Sequence, residues 1–143
     1  MSGDEALRRW TSFAVHDESS AARWLREQRH GGEQGRRCGF AVEEADPSRA
    51  GGPPVGHAVL KEVVAGGPSA EVGYWPVARA RGRGVAPRTL RALSDRAVAT
   101  FARDGLTRLL LRRQAADTAS CRVAEKSRHD LAAVLPAKPP ACP

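Results

Sequence analysis

AEVGYWPVARARGRGVAPRTL, residues 70–90, changes character twice in a short span. Ala70 to Trp75 carries Val72, Tyr74 and Trp75 and reads as a strand. Pro76 to Arg83 is a basic loop. From Gly84 to about Arg103 the pattern is helical, with Leu90, Leu93, Ala97 and Phe101 on one face. Asp104-Gly105 stops it. Leu106 to Arg112 is a further strand, whose Leu109, Leu110 and Leu111 are too apolar for an exposed edge. A strand–loop–helix–strand unit places its helix across the sheet with a right-handed crossover, so its two strands run parallel.

The loop Arg81-Gly82-Arg83-Gly84-Val85-Ala86 decides what this unit can bind. Gly82 and Gly84 remove side chains where backbone must approach a ligand. Val85 and Ala86 open the helix, where N–H groups lack intrahelical partners and the dipole is positive. Together they make an anion site suited to a pyrophosphate. Arg81 and Arg83 add charge-assisted bonds. Pro87 costs little there, because its missing N–H has no partner to lose. A glycine-rich turn on a basic surface is the plainer alternative. The spacing is neither a dinucleotide Gly-x-Gly-x-x-Gly nor a Gly-Lys-Ser/Thr phosphate loop.

Outward from this unit, residues 4–15 read as a helix with Leu7, Trp10 and Ala14 on one face. Asp17 or Ser19 caps a second helix to about Arg29, with Ala22, Trp24 and Leu25 inward and His30-Gly31-Gly32 as its end. Residues 37–43 are a strand. A turn-rich stretch runs from Ala45 to Pro54. Val55 to Val64 is a second strand, and Ala65 to Ser69 a hairpin-type link. The three strands before the loop form an antiparallel meander. Beyond Arg112, Asp117 or Thr118 caps a short helix from Ala119 to Lys126. Leu131 to Leu135 is a last strand. The domain covers 1–135, and 136–143, with four prolines, is a tail. The fold class is α/β (α+β): a mixed, mostly antiparallel sheet flanked by helices.

The chain has 143 residues, enough for one core. Its formal charge of +7 suits polyanions or a phosphorylated cofactor. Five arginines and no acid lie between Arg79 and Arg91. Cys38, Cys121 and Cys142 have no framework or metal-ligand spacing, which points to reduced thiols in a cytoplasm and no metal site. No apolar run reaches the ~20 residues of a membrane span.

Ala70-Glu71-Val72-Gly73-Tyr74-Trp75, then Arg81-Gly82-Arg83-Gly84-Val85-Ala86, then Ala119-Ser120-Cys121-Arg122-Val123-Ala124-Glu125-Lys126 form a linked set. This set resembles the GNAT superfamily of acetyl-coenzyme A-dependent N-acetyltransferases, and most closely its ribosomal-protein N-terminal branch. The resemblance covers 55–126 well and 4–54 loosely. It implies acetyl transfer from acetyl-coenzyme A to a primary amine, by direct attack in a ternary complex. Loop 81–86 would hold the pyrophosphate through its amides, and the pantetheine arm would pair with backbone near Trp75, Pro76 and Val77. Asp117 sits where the family has a cofactor-contacting Asn. Ser120 matches a proposed general acid for the leaving thiolate, and Glu71 a general base acting through water. An attacking amine must be neutral, which gives a base its task.

The chain departs from the pattern at Pro76, at Asp117, and at Arg128-His129, where the family has Gly-Phe or Gly-Tyr. Beside that pattern it also reads as shortened at both ends. A catalytically impaired acyl-coenzyme A-binding relic is therefore the first alternative. A small basic nucleic-acid-binding protein is the second; its binding would be non-specific, because no aromatics interleave with the arginines. The implied protein is a monomer or homodimer.

Overall fold

The computed structural model describes residues 15, 17–48, 50–63, 66–113 and 117–129. The expected helix over 4–15, the strand at 131–135 and the tail at 136–143 lie outside the described residues, apart from Val15. Helix α1 (Glu18–Glu33) opens on Asp17, whose carboxylate accepts from Ser20 N while the Ser20 hydroxyl accepts from Asp17 N. That reciprocal pair is a capping box. The helix does not end at Gly31-Gly32 but continues to Glu33, and Gly35, with φ 68°, takes the left-handed turn. Gly31 serves packing instead: a Cβ there would lie 3.2 Å from the Arg37 Cβ.

Strands β1 (Arg37–Glu43), β2 (Pro54–Lys61) and β3 (Ser69–Pro76) form the antiparallel meander. β2 stops three residues before the expected Val64, because Glu62 adopts φ 58° and turns the chain out of register. A 3₁₀ turn (Ala78–Ala80) leads to α2 (Val85–Phe101), and Gly105, with φ 101°, ends the turn that follows. β4 (Arg108–Leu111) pairs with β3 in parallel, and α3 (Thr118–Lys126) follows it. The sheet order is β1-β2-β3-β4, so among the described residues β4 is an edge. Its leucines were read as belonging to an interior strand. They are apolar because Leu109 and Leu111 pack under α2.

Alternation divides the sheet into two faces. One lies under α2. On it Cys38, Leu60, Val72 and Leu111 form one row across the four strands, and Phe40, Ala58 and Tyr74 the next across three. Leu90, Leu93 and Ala97 of α2 close this core, with Leu106 beside them. The other face carries the row Arg37, Lys61, Glu71, Leu110, then Gly39, Val59, Gly73, then Ala41, His57, Trp75. Helix α1 covers part of it: Trp24 meets the His57 ring edge-on at 5.2 Å, and Gln28 accepts from Arg37 at 2.7 Å. Trp24 and Gln28 are four apart and share a helix face. Leu25, about 100° further round, does not share it and is 60% exposed, against the expectation that it points inward.

Leu90 is fully enclosed at the centre of the α2 contact. Truncation there leaves a cavity in a close-packed site. Leu90→Ala should cost about 2–5 kcal/mol, measured by urea denaturation; a loss under about 1 kcal/mol would show that the α2 face is not the main core.

Candidate functional site

β3 has two neighbours for only part of its length. Its pairing with β4 ends at Val72↔Leu111, whereas its pairing with β2 continues to Gly56↔Pro76. From Gly73 onward β3 has no ladder partner on the β4 side among the described residues, which leaves a cleft there. Val77 N donates to Val55 O at 2.8 Å, which identifies 55↔77 as a hydrogen-bonded pair. Antiparallel pairs alternate, so Trp75 and Gly73 also direct their backbone toward β2. Tyr74 and Pro76 direct theirs into the cleft. A coenzyme arm expected to pair with backbone near Trp75, Pro76 and Val77 would meet this parity. The Val77 N–H is engaged, Pro76 has none, and the cleft-side donor is Tyr74 N–H.

The cleft leads to the Gly loop. Gly82 and Gly84 have φ of 74° and 72°, a region that favours glycine, and space around both is open. Gly84 is the N-cap of α2 and supplies no side-chain cap bond. The first helical N–H groups, at Val85 and Ala86, thus face outward without a cap. Arg88 folds back on the loop, its Nε donating to Gly84 O at 3.1 Å and a terminal nitrogen to Arg83 O at 3.4 Å. Sequence reading did not single out Arg88; its spacing of four from Gly84 was the available signal. Arg83 does not simply add charge to the loop: its guanidinium is paired with Glu44. Arg81 is exposed. A cavity of about 690 Å³ lies beside the loop rather than in the cleft, between β1 and α2, with Phe40, Val42, Leu93 and Arg96 in its wall.

Glu71 is buried on the α1 face, one row before the split. Its Oε1 lies 2.8 Å from Lys61 Nζ and its Oε2 3.5 Å from Arg112 Nε. Asp117 caps α3: Oδ1 accepts from Ser120 N at 3.1 Å, and Oδ2 accepts the Ser120 hydroxyl at 2.6 Å. Tyr74 points to this corner. Burial pushes its phenol pKa up; the Ser120 hydroxyl works in the opposite direction, and Asp117 adds to the rise. Glu71 and Ser120 therefore flank the cleft from opposite faces of the sheet. Cys121 is half-buried beside Ser120, and no disulfide involves it. Among the described residues no group of three or more His, Cys, Asp and Glu could hold a metal ion. Nor is any described helix long and apolar enough to cross a membrane.

The chain thus carries a strand pair that divides in front of a left-handed glycine and a helix start. The family model of the acetyltransferase (GNAT) domain matches residues 1–128. The chain belongs to the GNAT acetyltransferase family. Solved structures repeat the fold at low identity. A candidate ribosomal-protein-serine acetyltransferase from Vibrio cholerae aligns with TM-score 0.68 and 22% identity over 87% of this chain and 66% of that one. Mycobacterium smegmatis RimJ, with coenzyme A disulfide, gives 0.69 and 23% over 84% and 58%. RimL, the ribosomal L7/L12 α-N-protein acetyltransferase, in complex with coenzyme A, gives 0.70 and 15% over 85% and 64%. The chain thus spans under two thirds of the length of these structures. No curated protein matches its sequence significantly. Within the GNAT frame, sequence and structure agree on the loop and on α3, and the backbone parity of β3 is the structure's addition.

His57 sits between Trp24 and Trp75, with ring centroids 5.2 and 5.5 Å away. Burial, then the Arg37 charge, lowers its pKa. The fold therefore favours neutral His57. That contribution is present above histidine's ordinary pKa of about 6.5 and is lost as pH falls through the lowered value. The melting temperature should drop as pH falls below about 6.5, and His57→Gln should flatten that slope. An unchanged slope would remove His57 from the acid limb.

Proposed function

We propose that this chain moves an acetyl group from acetyl-coenzyme A to a primary amine, on a protein N-terminus or a small molecule. The attack is direct, in a ternary complex. The observation that carries the reading is the division of β3 from β4 in front of the uncapped start of α2. Two unengaged N–H groups behind left-handed glycines suit a pyrophosphate, and the Tyr74 N–H and Pro76 carbonyl suit an amide-bearing arm. Val85, Ala86, Gly82 and Gly84 would hold the diphosphate, with Arg81 near it. Arg83 would contribute only by leaving Glu44. Asp117 would reach the coenzyme only through the α3 cap. The bound thioester supplies an activated acyl carbon; the chain's task is to bind it, orient the amine and manage protons.

Glu71 is the proton acceptor in this reading. Both of its oxygens are held by cations, but a carboxylate offers about four acceptor sites, so one water can bridge it to an amine entering from the α1 side. Ser120 stands across the cleft, where a leaving sulfur needs a donor. The likeness to RimL, a ribosomal L7/L12 α-N-protein acetyltransferase, supports a protein N-terminus as acceptor. The reading places the protein in the cytoplasm, as a monomer or homodimer.

The relic reading has its own support. Glu71 is doubly ion-paired, and the Ser120 hydrogen is given to Asp117. A protein so arranged could bind the coenzyme without turnover.

Acetyl-coenzyme A should raise the melting temperature by mass action, and Gly84→Val should abolish the rise, since a β-branched residue resists φ near 72°. No shift at millimolar ligand in the parent would end both readings. Glu71→Gln should lower turnover by about 10²–10⁴-fold with little change in coenzyme affinity. A parent that binds but releases no thiol with any amine in a panel would select the relic.

A further inference from the structure

The Tyr74 backbone faces the cleft, but its side chain has no part in the acetyl-transfer scheme. It lies on the α2 face of β3, two residues past the last pair with β4, so its ring has no β4 neighbour alongside. Its hydroxyl is enclosed and has no hydrogen-bond partner. An enclosed, unpaired hydroxyl is costly to hold, and in native structures each one calls for an account. Ser120 is the polar side chain nearest to acting on it directly, and the charges of Asp117 and Arg113 and the Cys121 thiol act on it at longer range. Ser120 is close enough to influence the phenol, yet no bond of proper geometry closes between them.

The reason lies in how Ser120 uses its own atoms. A serine hydroxyl has one hydrogen and two lone pairs. The hydrogen goes to Asp117 Oδ2 at 2.6 Å, a charge-assisted bond. The residue at 117 matters here. An Asn could present its amide hydrogens to the Ser120 oxygen and leave the serine hydrogen available. A carboxylate has no hydrogen to give, so it draws the serine hydrogen to itself. Ser120 can serve a ligand as donor only by turning away from Asp117. Its oxygen then needs a replacement bond, and the enclosed, unpaired Tyr74 phenol is a donor available beside it.

We propose that Tyr74 is a positioning residue acting through Ser120: its hydroxyl donates to Ser120 Oγ when Ser120 turns its hydrogen from Asp117 to the coenzyme sulfur. The inference rests on the acetyl-transfer reading. The amine nitrogen bonds to the acyl carbon, the carbon–sulfur bond breaks, and its electron pair stays on sulfur. The amine's proton leaves through the water at Glu71. Sulfur departs as a thiolate held by the Ser120 hydrogen bond and takes its proton from solvent. The phenol gives up no proton; burial, which raises its pKa, keeps it a neutral donor throughout.

Three variants of the full chain decide this: Tyr74→Phe, Ser120→Ala and the double substitution. Tyr74→Phe should melt at or above the parent temperature without ligand, because no bond is lost. It should bind coenzyme A about threefold to tenfold more weakly, the worth of one net hydrogen bond, and turn over more slowly by a similar factor. Desulfo-coenzyme A, which lacks the sulfur, should bind parent and variant alike. In the Ser120→Ala background, adding Tyr74→Phe should change affinity by less than about twofold, since coupled residues are not additive. Effects that multiply would mean that Tyr74 reaches the ligand on its own, and would overturn the proposal. So would a marked fall in the melting temperature of Tyr74→Phe, which would make the phenol structural. A parent that binds no coenzyme A sinks the acetyl-transfer reading, and this inference with it. A parent that binds, with a Tyr74→Phe variant that binds equally, sinks the inference alone.

Discussion

The Glu71 carboxylate ties three strands at the row where the sheet is about to divide. It stands on β3, holds Lys61 of β2 on one oxygen, and reaches Arg112, just past the end of β4, with the other. One row further, at Val72↔Leu111, the β3–β4 pairing stops. Like any buried carboxylate it needs partners in that setting, and the partners it has are the neighbours on either side. A cation from β2 and another from just past β4 thus meet on β3 at the row before the β3–β4 ladder ends. The same side chain is the candidate base. Position at the apex of a split and proximity to a reacting group are one requirement here, met by one residue.

The two faces of the sheet then take different tasks. The α2 face is apolar through Leu60, Val72, Leu90 and Leu93, and it anchors the helix whose N-terminus supplies the anion site. The helix cannot drift relative to the cleft without disturbing that core. The α1 face carries charge and rings, Lys61, Glu71, His57 and Trp75. Gly73, in the middle of this face, is packed against Val59: a Cβ would come within 3.1 Å of a Val59 methyl. A side chain there would crowd the floor next to Glu71.

Helix α2, the meander, the Gly loop and the α3 cap were legible in the sequence because each depends on local pattern. Leu90, Leu93 and Ala97 recur at helical spacing, and Asp117 precedes an apolar turn. What was not legible depends on distant partners. Arg112 meets Glu71 only because β4 pairs with β3, and Arg83 meets Glu44 across the β1–β2 connection. The inward placing of Leu25 failed because α1 touches the sheet through Trp24 and Gln28, a choice set by His57 and Arg37 rather than by α1's own hydrophobicity. Backbone parity was equally hidden. Whether Tyr74 or Trp75 offers its N–H to the cleft depends on one bond, Val77 N to Val55 O.

Parity also settles what Pro76 does. Because 74 and 76 direct their backbone to the cleft, a proline at 76 removes one of the two donors that β3 could offer there, whereas at 75 or 77 it would have broken the ladder to β2. A proline at 76 therefore leaves the β2 ladder intact and, in the acetyl-transfer reading, would weaken only the arm site. A ligand running along the cleft meets one N–H, at Tyr74, and one lone carbonyl, at Pro76. The balance of affinity moves toward the other end, where Val85 and Ala86 present N–H groups and Arg88 braces the loop carbonyls from behind. Charge at that end is long-ranged and already organised by α2, so it survives the loss of one short-range contact. This division also explains why departures at 76 and 117 coexist with an intact Gly loop. An anion held at the loop, as proposed, would not depend on either residue.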